Sequence, residues 1–322
     1  MIAVFLGAGF SAIGGMPLAS QIFDPRPEVD RISRHRLMER VEAGWDDWRA
    51  RTGGSPEEYL AHLESSGAGG QWRDATWYVS LVIALSLGSI RPISFTQQRT
   101  IVQTNLNRTS RIPSHEDFWT ALFRHTEDVT VITTNYDILA ERGLRNTPRP
   151  RRHRPGFHYG FGPERLLGSG APSFSHIRPI MASGRVPLLK LHGSVSWSFD
   201  GGRIRHYFDC RPAIQGKALI VAPVTEKSVP HYLQPIWDKA TEALSESDTW
   251  LVIGYSFPAY DETVHRLFVQ NGGHLPRLHI FNPDPTVVRC VRSLMPSATV
   301  VGHPGFPEGI DSLPAILRER GQ

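Results

Sequence analysis

Short runs of β-branched and aliphatic residues alternate with longer amphipathic stretches along this 322-residue chain. The short runs are predicted to be strands: Ile2–Leu6, the run that starts at Val129, Pro187–Leu191, Leu219–Ala222, Trp250–Gly254, Leu278–Asn282 and Ala298–Val301. The amphipathic stretches are predicted to be helices: residues 28–50, Pro56–Leu63, Trp72–Leu87, a helix opened by a capping box from Ser114 to Asp117, residues 233–246, 260–271 and 284–294, and Leu313–Arg320. Strands that alternate with helices are typical of βαβ units. The pattern therefore predicts an α/β fold with a doubly wound, mainly parallel sheet.

Composition narrows the class of protein. Hydrophobic residues make up 40% of the chain, enough to fill a core, and a net charge of +4 does not by itself indicate nucleic-acid binding. The longest apolar run, Val79 to Leu87, is too short to cross a bilayer, and the N-terminus lacks the features of a secretory signal. Cys210 and Cys290 are too few for a four-thiolate zinc site or a disulfide scaffold. We expect a cytoplasmic protein without a membrane segment.

The first predicted strand runs into a glycine-rich turn between Phe5 and Pro17. Gly7, Gly9 and Ala12 form the permissive version of the dinucleotide-binding fingerprint, in which glycines let the backbone approach a pyrophosphate. A tight turn without a ligand is the alternative interpretation. An ordinary hydride-transferring dehydrogenase is disfavoured, because it would carry an acidic residue after a second strand about 20 positions further on. Here the stretch around Asp30 is predicted to be helical instead.

Two later strands end in residues that could do chemistry. Asn135 and Asp137 follow the strand from Val129, at the end where an open α/β sheet exposes its ligand crevice. Asn135 could orient a water or a ribose hydroxyl, and Asp137 could hold a loop or a hydroxyl, although such residues are also common turn-formers. His192, in the segment Lys190–Ser194, could act as a general base or a proton relay. A lone histidine is more often structural.

Two further strand ends complete the set. Gly254 and Ser256 follow the strand from Trp250, and Asn282 follows the strand from Leu278. Each alone could be a capped turn. Five strand ends in chain order, however, present Gly, Asn, His or Ser to one edge of the predicted sheet. The sequence therefore predicts one shared ligand site at that edge.

The segments GAGFS, TTNYD, KLHGS, GYSF and FNPD, in this order from Phe5 to Asp284, resemble the motif series of sirtuins. In their residues they resemble the prokaryotic SIR2-like branch found in anti-phage defence systems more than the classical sirtuins. The resemblance implies one NAD-binding, Rossmann-like domain over residues 1–322 with a mainly helical insert at 28–127. It also implies that Asn135 and His192 are catalytic. The residues that it implies contact NAD are Gly7, Ala8, Gly9, Phe10, Ser11, Asp137, Gly254, Ser256 and Asn282.

One departure from the sirtuin pattern bears on the reaction. Deacylating sirtuins typically carry a four-cysteine zinc module after the histidine motif, whereas residues 194–249 contain only Cys210. We therefore expect no zinc, and deacylation is disfavoured. The resemblance implies an NAD hydrolase that releases nicotinamide and ADP-ribose, as an NAD-depleting effector in defence. Protein deacylation, ADP-ribosyl transfer and a non-catalytic NAD- or ADP-ribose-sensing module remain alternatives.

The expected partners follow from the same resemblance. NAD is expected as the substrate. Many defence relatives fuse this domain to a sensor, and this chain ends soon after the predicted sheet, so we expect a homo-oligomer and a separate sensor or ATPase partner. The Arg-rich segment at 145–163 is interpreted as a solvated connection, with an anionic partner as the alternative. Direct nucleic-acid binding is not expected.

Overall fold

A computed structural model describes residues 1–24, 35–87, 90–92, 102–104, 112–147, 156–160, 186–200, 203–207, 209–222, 229–273 and 277–319. The strands are β1 (Ile2–Leu6), β2 (Ile90–Pro92), β3 (Val102–Thr104), β4 (Val129–Thr133), β5 (Phe157–His158), β6 (Val186–Lys190), β7 (Gly193–Ser194), β8 (Trp197–Asp200), β9 (Arg203–His206), β10 (Leu219–Ile220), β11 (Thr249–Ile253), β12 (Arg277–Phe281) and β13 (Val300–His303). The α-helices are α1 (Ala8–Ala12), α2 (His35–Thr52), α3 (Pro56–Ser65), α4 (Gly69–Ser86), α5 (Pro113–His125), α6 (Leu139–Asn146), α7 (Arg211–Ile214), α8 (Gln234–Glu246), α9 (Glu262–Asn271), α10 (Pro285–Leu294) and α11 (Leu313–Glu319). Two 3₁₀ turns occupy Ala19–Gln21 and Glu308–Ser312.

The main sheet has seven parallel strands in the order β13-β12-β11-β1-β4-β6-β5. Strands β1, β4 and β11 are buried at every position, as expected for central strands covered on both faces by helices. The predicted doubly wound α/β class is confirmed. From β1 the chain adds β4 and β6 on one side and later β11, β12 and β13 on the other, so the strand order reverses between β1 and β11. This reversal is where open α/β sheets bind ligands.

The hydrophobic interior has two parts. One packs around the main sheet, and the other packs around the helical module, by which we mean α2, α3 and α4. Residues from the loop after α1, including Met16 and Phe23, also belong to the second core. Helix α5 lies within the predicted insert of 28–127, but its Phe118 and Trp119 pack in the sheet core. The ligand-facing loops therefore lie between two packed units.

Two details differ from the sequence predictions. Helix α5 begins at Pro113, and no side chain caps it, so the expected capping box at Ser114 is wrong. Proline suits the first helical position because its missing N–H would have no partner there, and this places Ser114 inside the first turn. Strand β10 does not join the main sheet, because it pairs antiparallel with the two-residue strand β7.

A real capping box occurs at the start of α3. The Ser55 hydroxyl accepts from the Glu58 N–H at 3.2 Å, and the Glu58 carboxylate accepts from the Ser55 N–H at 2.6 Å. Pro56 occupies the first helical position. These contacts fix where helix α3 starts.

Two predicted segments lie partly outside the described residues. The first part of the predicted helix at 28–50, including Asp30, and most of the Arg-rich segment at 145–163 lie outside the described residues. Among the helices that are described, none combines the length and the apolar character that a membrane crossing requires.

Candidate functional site

The parallel register brings the five predicted strand ends to one edge of the sheet. A cavity of about 160 Å³ opens there. Of the residues predicted to form the site, those that line it are Ala8, Ser11, Asn135, Asp137, His192, Gly254 and Ser256. Gly7, Gly9, Phe10 and Asn282 lie beside the cavity without lining it. The loop after α1 and helices α3 and α4 of the helical module close the opposite wall.

Gly7 and Gly9 of the first turn are required by the packing of backbone against backbone. A Cβ atom on Gly7 would lie 2.5 Å from the Tyr255 Cα, and one on Gly9 would lie 2.8 Å from the Gly254 Cα. The N–H groups of Gly7 and Gly9 donate to the carbonyls of Ile253 and Gly254, both at 2.9 Å. The turns after β1 and β11 therefore interlock.

This packing changes the expected role of the turn. The Phe10 N–H donates to the Gly7 carbonyl at 3.1 Å, so three of the N–H groups expected to face a pyrophosphate are bonded within the protein. The Phe10 side chain lies in the core, stacked on the His115 ring at 4.2 Å between centroids. Within the segment Gly7–Ser11, Ala8 and Ser11 are the residues that line the cavity.

We expect Gly254→Ala to destabilise the fold and to disrupt the site. Gly254 has φ +65°, and a Cβ atom there would lie 2.6 Å from the Gly9 Cα. The conformational strain alone costs about 1–3 kcal/mol, and the clash with backbone adds to it. Chemical denaturation measures the loss in free energy of unfolding.

Gly53→Ala is the matched control for this prediction. Gly53 has nearly the same conformation, φ +67°, and no atom lies within 4 Å of the position that its Cβ would take. It therefore reports the conformational strain without the clash. Equal losses in the two variants would show that the interlocking of the two turns contributes nothing.

Asn135 joins the end of β4 to the first turn. Its side-chain amide donates to the Gly7 carbonyl at 2.8 Å and to the Ser11 hydroxyl at 3.0 Å. Because both donor hydrogens are used, the Oδ1 atom is the group that remains to accept a hydrogen bond. Asn135 can therefore orient a water or a hydroxyl by accepting a hydrogen bond from it at Oδ1.

Asp137 and Lys190 hold the loop that carries Asn135. The Asp137 carboxylate accepts from the Leu139 N–H at 2.8 Å, which starts helix α6. The buried Lys190 ammonium donates to the Asp137 carbonyl and to the Glu141 carboxylate, the latter at 3.1 Å. Asp137 therefore acts as a turn-former and also lines the cavity. Lys190 holds the backbone of this turn in place from the protein interior.

His192 is 5% exposed and borders the cavity two residues after β6. Burial lowers the pKa of His192, because a charged imidazolium loses solvation there, and the carboxyl of Asp261 opposes this shift. The Nε2 atom of His192 lies 3.8 Å from the Asp261 Oδ1. A neutral imidazole in this position can accept a proton.

Ser256 and Asn282 extend along the same edge of the sheet. Ser256 is exposed at the border of the cavity, next to Phe257, which adopts the left-handed φ of +52°. The Asn282 side chain donates to the Tyr255 carbonyl at 3.2 Å and accepts from the Asp284 N–H at 2.9 Å. Asn282 thus shapes the loop after β12, outside the cavity.

Sequence reasoning missed further residues that line the cavity, among them the titratable Glu57, Tyr136, Tyr260 and Asp261. Burial raises the pKa of the Glu57 carboxyl, and a hydrogen bond to the Tyr260 side chain acts in the opposite direction. The Tyr136 hydroxyl donates to the Val221 carbonyl at 2.9 Å. The capping box at the start of α3 is a local signal for the helix, but nothing local indicates that Glu57 contacts Tyr260.

The two cysteines lie in different parts of the interior. Cys210 is buried in the core of the helical module, and Cys290 lies half-buried against the sheet core. Within the described residues, no cluster of three or more His, Cys, Asp or Glu side chains could hold a metal. Absence of zinc stays a prediction, and stoichiometric zinc in the purified protein would contradict it.

Comparison with known proteins gives a family match. The family model described as the SIR2-like domain matches residues 129–289, half of the chain. A search of curated proteins gives no match. Among solved structures, a Sir2 homolog–NAD complex is 13% identical with a TM-score of 0.45, covering 100% of this chain and 90% of that one. Sir2 in complex with the inhibitor EX-527, 2'-O-acetyl-ADP-ribose and a deacetylated p53 peptide is 15% identical with a TM-score of 0.43, covering 100% and 94%.

Proposed function

The chain belongs to the SIR2-like domain family, and from this membership we propose that it is an NAD hydrolase that produces nicotinamide and ADP-ribose. The observation that carries the proposal is the placement of Asn135 and His192 at one cavity beside three carboxyl groups, those of Glu57, Asp137 and Asp261. No Lys or Arg is among the described residues that line this cavity.

This distribution of charge suits the nicotinamide end of NAD. The pyridinium ring of NAD is cationic, and cleavage of its bond to ribose passes through an oxocarbenium-like state that is also positively charged. Carboxyl groups fixed around the ring stabilise both charges. The cavity volume of about 160 Å³ is below the roughly 300–1,000 Å³ of typical ligand pockets. It would therefore hold the nicotinamide end, while the rest of NAD would extend past Ser256 towards Asn282.

The proposed reaction is a hydrolysis. The bond between C1′ of the ribose and the nicotinamide nitrogen breaks, and its electron pair leaves with neutral nicotinamide, so no acid is needed. Water forms the new bond to C1′. Asn135 would orient this water or a ribose hydroxyl through Oδ1, and His192 would accept the proton, directly or through a ribose hydroxyl.

Product analysis tests the proposal. Purified protein is incubated with NAD in ¹⁸O-labelled water, and we expect equal amounts of nicotinamide and of ADP-ribose that carries the label. An O-acyl-ADP-ribose formed from an acylated peptide would favour deacylation, and label-free ADP-ribosyl products would favour transfer. NAD binding without any cleavage would favour a sensing module.

We further propose a cytoplasmic role as an NAD-depleting effector in anti-phage defence. Because unregulated NAD depletion would harm the host cell, we expect activity to be switched on by homo-oligomer assembly or by a separate sensor or ATPase partner. Turnover per protomer should therefore rise with protein concentration or with added partner. Full activity of the dilute monomer would contradict this expectation.

A further inference from the structure

Asp261 has a buried carboxyl group with one unsatisfied oxygen. The residue is 2% exposed at the start of α9, and its Oδ2 atom accepts from the Tyr255 hydroxyl at 2.7 Å. The Oδ1 atom has no hydrogen-bond partner among the described residues and lies 3.8 Å from the His192 Nε2. A buried carboxylate oxygen without a partner is costly, so the position of this oxygen calls for an explanation.

Helix capping does not explain Asp261. An aspartate that precedes a helix usually accepts a hydrogen bond from an N–H in the first turn through its side chain. Here the side chain makes no such bond. Only the backbone of Asp261 is engaged locally, donating to the Pro258 carbonyl at 3.0 Å and accepting from the His265 N–H at 3.1 Å. The backbone therefore fixes the residue while its carboxyl group faces the cavity.

We propose that Asp261 is a positioning residue for His192, with Tyr255 holding its carboxylate in place. The proposal rests on the proposed NAD hydrolysis. The Asp261 Oδ1 would accept a hydrogen bond from the His192 Nε2–H, which leaves Nδ1 to take the proton released by the attacking water. The carboxylate then stabilises the imidazolium that forms. The separation of 3.8 Å is longer than a hydrogen bond, and such catalytic contacts often tighten only when substrate binds.

Other titratable groups border the same cavity on each side of His192. Helix α3 contributes Glu57, the loop after β4 contributes Tyr136 and Asp137, and the segment after β11 contributes Tyr255 and Tyr260. Burial raises the pKa of each of the three tyrosines, so these side chains stay neutral. Among the groups described, the carboxyl of Asp261 is the charged partner that raises the pKa of His192 against the effect of burial.

The test is Asp261→Asn, which removes the charge and keeps the shape. NMR titration follows the His192 ring in the NAD-free protein, with its signal identified by its loss in His192→Gln. We expect the His192 pKa to fall in Asp261→Asn. We also expect kcat for NAD cleavage to fall about 10²-fold or more while KM changes little. The low-pH limb of the kcat–pH profile, where the general base becomes protonated, should shift to lower pH.

Asp284→Asn is the matched control. Asp284 also precedes a helix, but it is exposed, lies outside the cavity and caps α10 by accepting from the Thr286 N–H at 2.8 Å. It should leave both the His192 pKa and kcat unchanged. Asp261→Glu, which keeps the charge, should retain the higher His192 pKa. Should Asp261→Asn not fold, Asp261→Ser removes the charge with a smaller side chain.

The outcomes separate this proposal from the proposed function. An unchanged His192 pKa in the charge-removing variants overturns the positioning role, whether or not NAD is cleaved. A lowered pKa with wild-type kcat and an unmoved pH profile overturns it as well. If the wild-type protein never cleaves NAD but the pKa falls as expected, the contact between Asp261 and His192 stands and the hydrolase proposal fails.

Discussion

His192→Ala and Asn135→Ala should each lower NAD turnover by about 10²–10⁴-fold, the usual contribution of a positioned acid–base group. His192→Ala removes the proposed proton acceptor. Asn135→Ala removes the Oδ1 atom that would orient the nucleophile. Turnover is measured as nicotinamide release, and NAD affinity is measured on the same samples by calorimetry.

The two variants should differ in NAD affinity. Asn135 also donates to the Gly7 carbonyl and to the Ser11 hydroxyl, so Asn135→Ala loosens the first turn, whereas His192→Ala leaves it intact. We expect affinity to survive better in His192→Ala. The exposed His231 provides a control, because His231→Ala removes a histidine outside the cavity. Wild-type turnover in both site variants would reject the assignment and favour the sensing module.

Lys190→Met should lower the free energy of unfolding by about 3–5 kcal/mol, the typical effect of removing one partner of a buried ion pair. Lys190 is 1% exposed and pairs with the buried Glu141 at 3.1 Å. Without Lys190 the Glu141 carboxylate is left without its cationic partner. The Asp137 carbonyl also loses its donor, so we expect turnover to fall with stability. Urea denaturation measures the first effect.

A second substitution tests the cause. Lys190→Met combined with Glu141→Gln removes the uncompensated charge and should recover much of the lost stability. Lys217 is exposed, so Lys217→Met should change the free energy of unfolding little. If Lys190→Met is no more destabilising than Lys217→Met, the pair has no structural importance.

The strand ends could be predicted because the signals are local. The buried runs before Gly7, Asn135 and His192 have the composition of strands. In a parallel sheet, the carboxyl ends of such strands lie at the same edge. The sequence predicts that Gly7 and Gly9 let the backbone approach a pyrophosphate. In the structure, these glycines let the turn after β1 pack against the turn after β11. A turn that must approach a ligand and a turn that must approach another turn require the same residue, so sequence alone does not separate the two.

The positions of Asp261 and Lys190 could not be predicted, because their partners are distant in sequence. Lys190 meets Glu141 across 49 positions, and Asp261 faces His192 from another strand end. Locally, Asp261 has the pattern of a helix cap, and Lys190 reads as the polar end of a strand. Only the three-dimensional arrangement distinguishes these residues from ordinary caps and strand ends.

The shared wall of the cavity has a thermodynamic consequence. Pro56, Glu57 and Leu60 of helix α3 form part of the cavity, and the same helix packs in the core of the helical module. A molecule that binds the outer face of that module and shifts α3 would change the affinity of the cavity for its ligand. By linkage, occupancy of the cavity would change the affinity for that molecule by the same factor. Affinity for an outside partner, measured with and without NAD, would thus report on the cavity without any turnover.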